Sequence, residues 1–299
     1  MGTEKWFVVG FLLIGSIASA QTEADFNVGL TDDNTGAVIT KYTGNVATVR
    51  IPGTIQGMPV REISITAFSR NSTITSVVIP DGVTEIRGGN NPYEGGAFFN
   101  CDKLVSITFP STLKKIGGFA FGGCFSLREA IIPEGVTEIG KNAFASCRSL
   151  AKVSLPSTLK HLGEWAFGNA DGIFGRGNNV IFTSIILPEN LKSIEEGVFY
   201  GCKNLTSIII PEGITKIGRQ AFDSCVALTS VRLPLTIERI DEYAFYGCTE
   251  LTVVTIPTSL VSVVFGGRSI DYQNVFEGNG KINLISQVAL KRIGYTGRF

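Results

Sequence analysis

A unit of 23 residues recurs along the chain, and its clearest copies read Leu-x-x-Ile-x-Ile-Pro-x-x-Ile-x-x-Ile-Gly-x-x-Ala-Phe-x-x-Cys-x-x. The Ala-Phe step falls at Ala67-Phe68, Ala97-Phe98, Ala120-Phe121, Ala143-Phe144, Ala166-Phe167, Val198-Phe199, Ala221-Phe222, Ala244-Phe245 and Val275-Phe276, which counts nine coils. A fixed period of this size means that no unit buries its apolar face alone; each is completed by stacking on its neighbours. The expected fold is therefore a repeat solenoid.

Within the copy at 205–228, Leu205, Ile208 and Ile210 lead to Pro211. Alternation ended by a residue that cannot donate to a ladder reads as a short strand with one face buried. Ile214 and Ile217 follow, with Gly213 and Gly218 as turn residues, and Ala221-Phe222 is expected to turn the chain back through a tight helical or 3₁₀ segment. Stacked in register, the strands form a parallel sheet with neighbours about 4.8 Å apart, so nine coils extend roughly 40 Å.

Three Phe-to-Phe steps are longer than 23. The extra residues lie at 88–94, 171–179 and 266–272, all rich in Gly or Asn and all carrying an aromatic residue. These least repetitive stretches are where specificity is most cheaply placed, which nominates Tyr93, Phe174, Arg176, Arg268 and Tyr272 as loop contacts.

The repeated Ile-Pro, Ile-Gly, Ala-Phe and Cys positions resemble the BspA-like, treponemal-type leucine-rich repeat over residues 51–276. Residues 37–60 look like the lead-in that opens such arrays, and 290–297 like a closing segment. The resemblance implies a leucine-rich-repeat arc with a parallel β-sheet on the concave side and short strand, 3₁₀ or helical turns on the other side, about nine coils. It also implies work by adhesion or protein recognition, with no catalytic residues to carry over.

Residues 1–20 stand apart. Lys5 precedes an apolar run at 6–17, and Ala18-Ser19-Ala20 supplies the small-x-small pattern of signal-peptidase cleavage. That run is shorter than the roughly 20 residues a bilayer span needs. The expected organisation is a cleaved signal peptide at 1–20, an N-terminal cap at 21–50, the repeat array at 51–278 and a C-terminal cap at 279–299, with no stable membrane span after cleavage. The expected location is exported: cell surface, periplasm or extracellular.

Acidic and basic residues balance at 26 each, so no bulk field recruits nucleic acid. The six cysteines, Cys101, Cys124, Cys147, Cys202, Cys225 and Cys248, each follow the repeat phenylalanine by three residues. An even count in an exported chain suggests disulfides, but side chains at one repeat position stack with parallel Cβ directions, poor geometry for a bridge. A column of free, buried thiols is expected. His161 is the only histidine and falls in the exposed pair before Leu162; with no second one, neither a nucleophile–histidine site nor a zinc site can be assembled. The glycines at 175–177 lack the rest of a dinucleotide loop. We therefore expect no enzyme, no cofactor and no metal.

The residues between the buried strand positions must face out. Ser, Thr, Val and Ile are good strand formers in any case. The sharper reading is an exposed apolar strip of Ile131, Ile186 and Ile209 flanked by Glu129, Lys152 and Arg232, the composition of a protein-contact surface. The expected partner is a host or envelope protein bound at the cell surface. The alternative is a periplasmic or envelope scaffold without a dedicated soluble ligand.

Overall fold

The computed structural model describes residues 21–168, 180–266 and 274–299. Each coil has three walls. The first carries strands such as Ser207–Ile209, whose pattern of one buried residue between two exposed ones repeats in Ser184–Ile186, Ser230–Arg232 and Val253–Thr255. The repeat proline then opens a tight turn: the Pro211 carbonyl accepts from Ile214 N at 3.4 Å and the Pro156 carbonyl from Leu159 N at 3.2 Å. A two-residue second strand follows, Lys216–Ile217 in this coil, with the isoleucine buried.

Both ladders are parallel and in register. Ser207 pairs with Ser184 on one side and Ser230 on the other, and Ile217 with Ile194 and Ile240. The 30-residue step is absorbed without loss of register, since Ser76 still faces Ser106 and Glu85 faces Lys115.

The third wall takes the tight-turn form of the helical or 3₁₀ segment expected there. It is a run of turns, and among the described residues only Asn274–Phe276 forms a 3₁₀ helix there. Left-handed residues interrupt it twice per coil: Phe119, Asn142, Trp165, Gln220 and Tyr243 precede the alanine, while Gly123, Ser146, Gly201, Ser224 and Gly247 precede the cysteine. A right-handed helix cannot continue through such residues. The turn bonds instead to the next coil, as Phe121 N to the Ala143 carbonyl and Phe222 N to the Ala244 carbonyl, both 2.8 Å.

The core is a column of rings. From Phe68 through Phe276 the repeat phenylalanines stack at centroid distances of 4.7 to 6.0 Å. Tyr42 and Phe26 extend the stack at one end. At the other, Tyr295 meets Phe276 edge-on, at 88°, so no face is left for a further ring.

The two ends are built differently from the coils. Phe26–Leu30 and Ala37–Tyr42 form an antiparallel hairpin whose second strand joins Met58–Ile63 in the second ladder. The helix Leu284–Arg292 starts on Asn283, whose Oδ1 accepts Ser286 N at 2.8 Å; the Ser286 hydroxyl then accepts Val254 N from the last strand of the first ladder at 3.0 Å.

The first ladder is not one sheet. It falls into three pieces, interrupted between Ser106–Thr108 and Glu129–Ile131 and again between Lys152–Ser154 and Ser184–Ile186. The second ladder runs through to His161–Leu162 and restarts at Ser193–Ile194, so both ladders are cut between the same two coils.

Candidate functional site

The exposed positions of the first ladder are those the strand alternation dictates. Ile186 is 85% exposed and Ile209 76%, and they sit side by side in register with Arg232 on the far side of Ile209. Glu129 faces Lys152 in the adjoining piece. Ile131, 44% exposed, pairs with Ser154, so a serine coil separates it from the other two isoleucines.

A cleft of about 810 Å³ opens beside the isoleucine pair, floored by Leu155, Leu187 and Ile210 and bordered by Glu134, Glu189 and Arg232. The border is held firmly: Glu134 receives the Ser157 amide and hydroxyl at 3.0 Å each, which hold its carboxyl below the usual range. Glu212 likewise accepts Leu235 N at 2.8 Å.

Among the nominated loop residues, Tyr93 is 96% exposed at the tip of an ordered turn. Asn91 Oδ1 accepts both Tyr93 N and Glu94 N at 3.0 Å, and Glu94 accepts Asn90 N at 2.8 Å, so the ring is displayed by a fixed backbone. Phe174, Arg176, Arg268 and Tyr272 lie outside the described residues.

All six cysteines are free and fully buried. Each thiol points to the phenylalanine carbonyl one coil back, from Cys101 to Phe68 at 3.0 Å to Cys202 to Phe167 at 3.9 Å. Burial pushes the Cys101 thiol up to about 12 and raises the other five as well. A thiol held protonated is a weak nucleophile, so the column is structural. His161 is exposed opposite Glu138 in the second ladder. Among the described residues no three His, Cys, Asp or Glu side chains converge as a metal ion requires.

A second exposed apolar group escaped the repeat-based reading. Leu284, Ile285 and Val288 lie on the outer face of the C-terminal helix, and Val261 and Val264 are exposed in the coil before it. The spacing 284, 285, 288 is a helical stripe, legible only once Leu284–Arg292 is read as a helix.

Comparison with known proteins places these features. The sequence signature of the BspA type leucine rich repeat region matches residues 61–173 and 177–286, in six copies. Among solved structures, a leucine-rich cell surface protein from Faecalibacterium prausnitzii is 28% identical with a TM-score of 0.63, over 88% of this chain and 81% of that one. The leucine-rich repeat protein of T. pallidum is 26% identical with a TM-score of 0.52, over 93% and 98%. A leucine-rich repeat protein from Eubacterium ventriosum, 18% identical over 85% and 93% with a TM-score of 0.51, shares the fold. No protein of curated function matches the chain.

Proposed function

Because the chain belongs to the BspA-type leucine-rich repeat family, whose fold is that of a binding scaffold, we propose that it acts by protein recognition at the cell surface, as an exported adhesin. The family and its neighbours are repeat-based protein-interaction proteins, and one neighbour is itself described as a cell surface protein. Among the described residues no helix is long and apolar enough to cross a membrane. Cleavage after Ala20 would release a mature chain beginning at Gln21, with 21–50 and 279–299 closing the two ends of the array.

The observation that carries the reading is the pair Ile186 and Ile209, adjacent, almost fully exposed and beside the cleft. Two large aliphatic side chains held out on a rigid strand surface cost solvation with no return to the fold. A protein partner that covers them recovers that area, and the charged border of Glu134, Glu189 and Arg232 supplies register.

The test is capture of host-matrix and envelope proteins by the mature chain, beside the Ile186→Asp/Ile209→Asp double variant. Loss of capture with unchanged thermal unfolding supports the reading. Unchanged capture removes the strip as the binding surface. Protease shaving of intact cells separates surface display from a periplasmic scaffold, because only a surface protein is cut from outside.

A further inference from the structure

The cleft beside Ile186 and Ile209 carries charge that the fold does not balance. Glu134, Glu189 and Glu212 line it, and Arg232 is its one cationic side chain, although the chain as a whole holds 26 acidic and 26 basic residues. On the other walls, charged side chains of successive coils answer one another. Lys115 reaches Glu138 at 3.1 Å, Lys141 reaches Glu164 at 2.6 Å and Arg219 reaches Glu196 at 3.3 Å. Among the described residues no ion pair involves Glu134, Glu189, Glu212 or Arg232.

The three carboxylates belong to one column, the residue after the repeat proline. Elsewhere in that column the acidic side chain is engaged by the residue one coil on: Asp81 accepts Ser111 N at 3.1 Å, Glu134 accepts Ser157 N at 3.0 Å and Glu212 accepts Leu235 N at 2.8 Å. At Glu189 the residue one coil on is Glu212 itself, and no hydrogen bond among the described residues engages the Glu189 carboxylate. Two exposed carboxylates thus follow each other at the coil spacing of about 4.8 Å, where like charges repel. Beside them the floor is apolar, formed by Leu155, Leu187 and Ile210. An aliphatic stem with a cationic end matches both features, the stem lying on the floor and the end meeting the carboxylates.

We propose that this cleft takes an extended protein segment in which a lysine or arginine neighbours an aliphatic residue: the aliphatic side chain covers Ile186 and Ile209, and the cationic end lies between Glu189 and Glu212. The inference rests on the reading of the isoleucine pair as the contact surface and adds the chemistry of the partner. Exposed ion pairs contribute little to affinity and more to selection, so the charge chooses the partner that the aliphatic contact holds.

The probes are three capped peptides of alternating Leu and X, with X Lys, Gln or Glu, titrated against the mature protein. The Lys peptide is expected to bind about tenfold more tightly than the Gln peptide, and the Glu peptide most weakly, with the differences shrinking as salt rises and screens the charges. Glu189→Gln/Glu212→Gln erases the preference without disturbing the fold, since both side chains are exposed and a glutamine at 212 still offers Leu235 N an acceptor. Glu164→Gln, which removes a carboxylate from the third wall instead, leaves the preference intact. Equal affinities for the three peptides, tighter binding of the Glu peptide, no binding of any, or a preference that survives Glu189→Gln/Glu212→Gln overturns the basic partner. Equal affinities that fall together in Ile186→Ser/Ile209→Ser overturn the charge selection alone and leave the strip standing. A Lys preference indifferent to Ile186→Ser/Ile209→Ser overturns the strip and the inference built on it.

Discussion

Asn279 Nδ2 donates to the Phe245 carbonyl at 2.8 Å, the same contact that six cysteine thiols make with the phenylalanine one coil behind them. Two unlike side chains thus serve one requirement: the turn leaves a buried carbonyl that needs a donor. Along the column the position holds Cys in six coils, Asn at Asn71 and Asn279, and Ala at Ala170.

Removing the donor strands the carbonyl. Cys225→Ala is expected to destabilise by about 1–3 kcal/mol, the usual cost of a buried unsatisfied acceptor, read by chemical denaturation. Alkylation should label no cysteine in the folded protein and six after denaturation; rapid native labelling would contradict the buried column.

The same thiols set an alkaline limit. An unfolded cysteine loses its proton near 9, whereas Cys101 holds it up to about 12 in the fold. A raised folded value means the stabilisation is complete below pH 9 and is lost as pH climbs through that window. The melting temperature should therefore be insensitive to thiol titration below pH 9 and fall above it, and the fall should be shallower in Cys101→Ala.

The ring column tolerates no gap. Phe222 lies between Phe199 and Phe245 at 5.3 and 5.1 Å, so Phe222→Ala opens a cavity in the middle of the array. A loss of about 3–5 kcal/mol is expected, with Phe222→Leu milder, both measured by denaturant unfolding.

Gly88 opens the loop that displays Tyr93, bridging to Gly96. A Cβ at Gly88 would stand 1.9 Å from the Gly118 carbonyl oxygen, which is backbone and cannot swing away. Gly88→Ala should lower the melting temperature and free the loop, seen as faster proteolysis between 88 and 96. Gly57→Ala, with open space around the new methyl, should cost only the strain of its positive φ, about 1 kcal/mol.

The C-terminal closure depends on Tyr295. Its hydroxyl donates to the Arg298 carbonyl at 2.6 Å and accepts Phe276 N at 3.4 Å, while the ring covers the end of the column. Tyr295→Phe should cost about 1 kcal/mol, and Tyr295→Ala should fray the last coil first, as fast amide exchange at 274–299.

Much of this was legible in the period. Ile208, Ile210, Ile214 and Ile217 recur because each coil must present the same face to the next, so the buried strand positions, the outward files and the cysteine column follow from counting. The tight turns of the third wall were expected as well, but nothing in Ala-Phe announces the left-handed residues that keep them from running on as a helix. The division of the first ladder was also missed, because a repeat pattern does not mark where stacked strands fail to pair.

The repeating sequence by itself determined the solenoid, its registers and which side chains are buried, because those depend only on a local pattern applied coil after coil. Only the tertiary structure decided where the solenoid departs from regularity: that Ile186 and Ile209 adjoin while Ile131 stands apart, and that both ladders are cut between the same two coils while the turn wall stays bonded, as by Phe167 N to the Val198 carbonyl. Such features arise from the depth of a particular side chain against particular neighbours, and a period, being an average over coils, does not contain them.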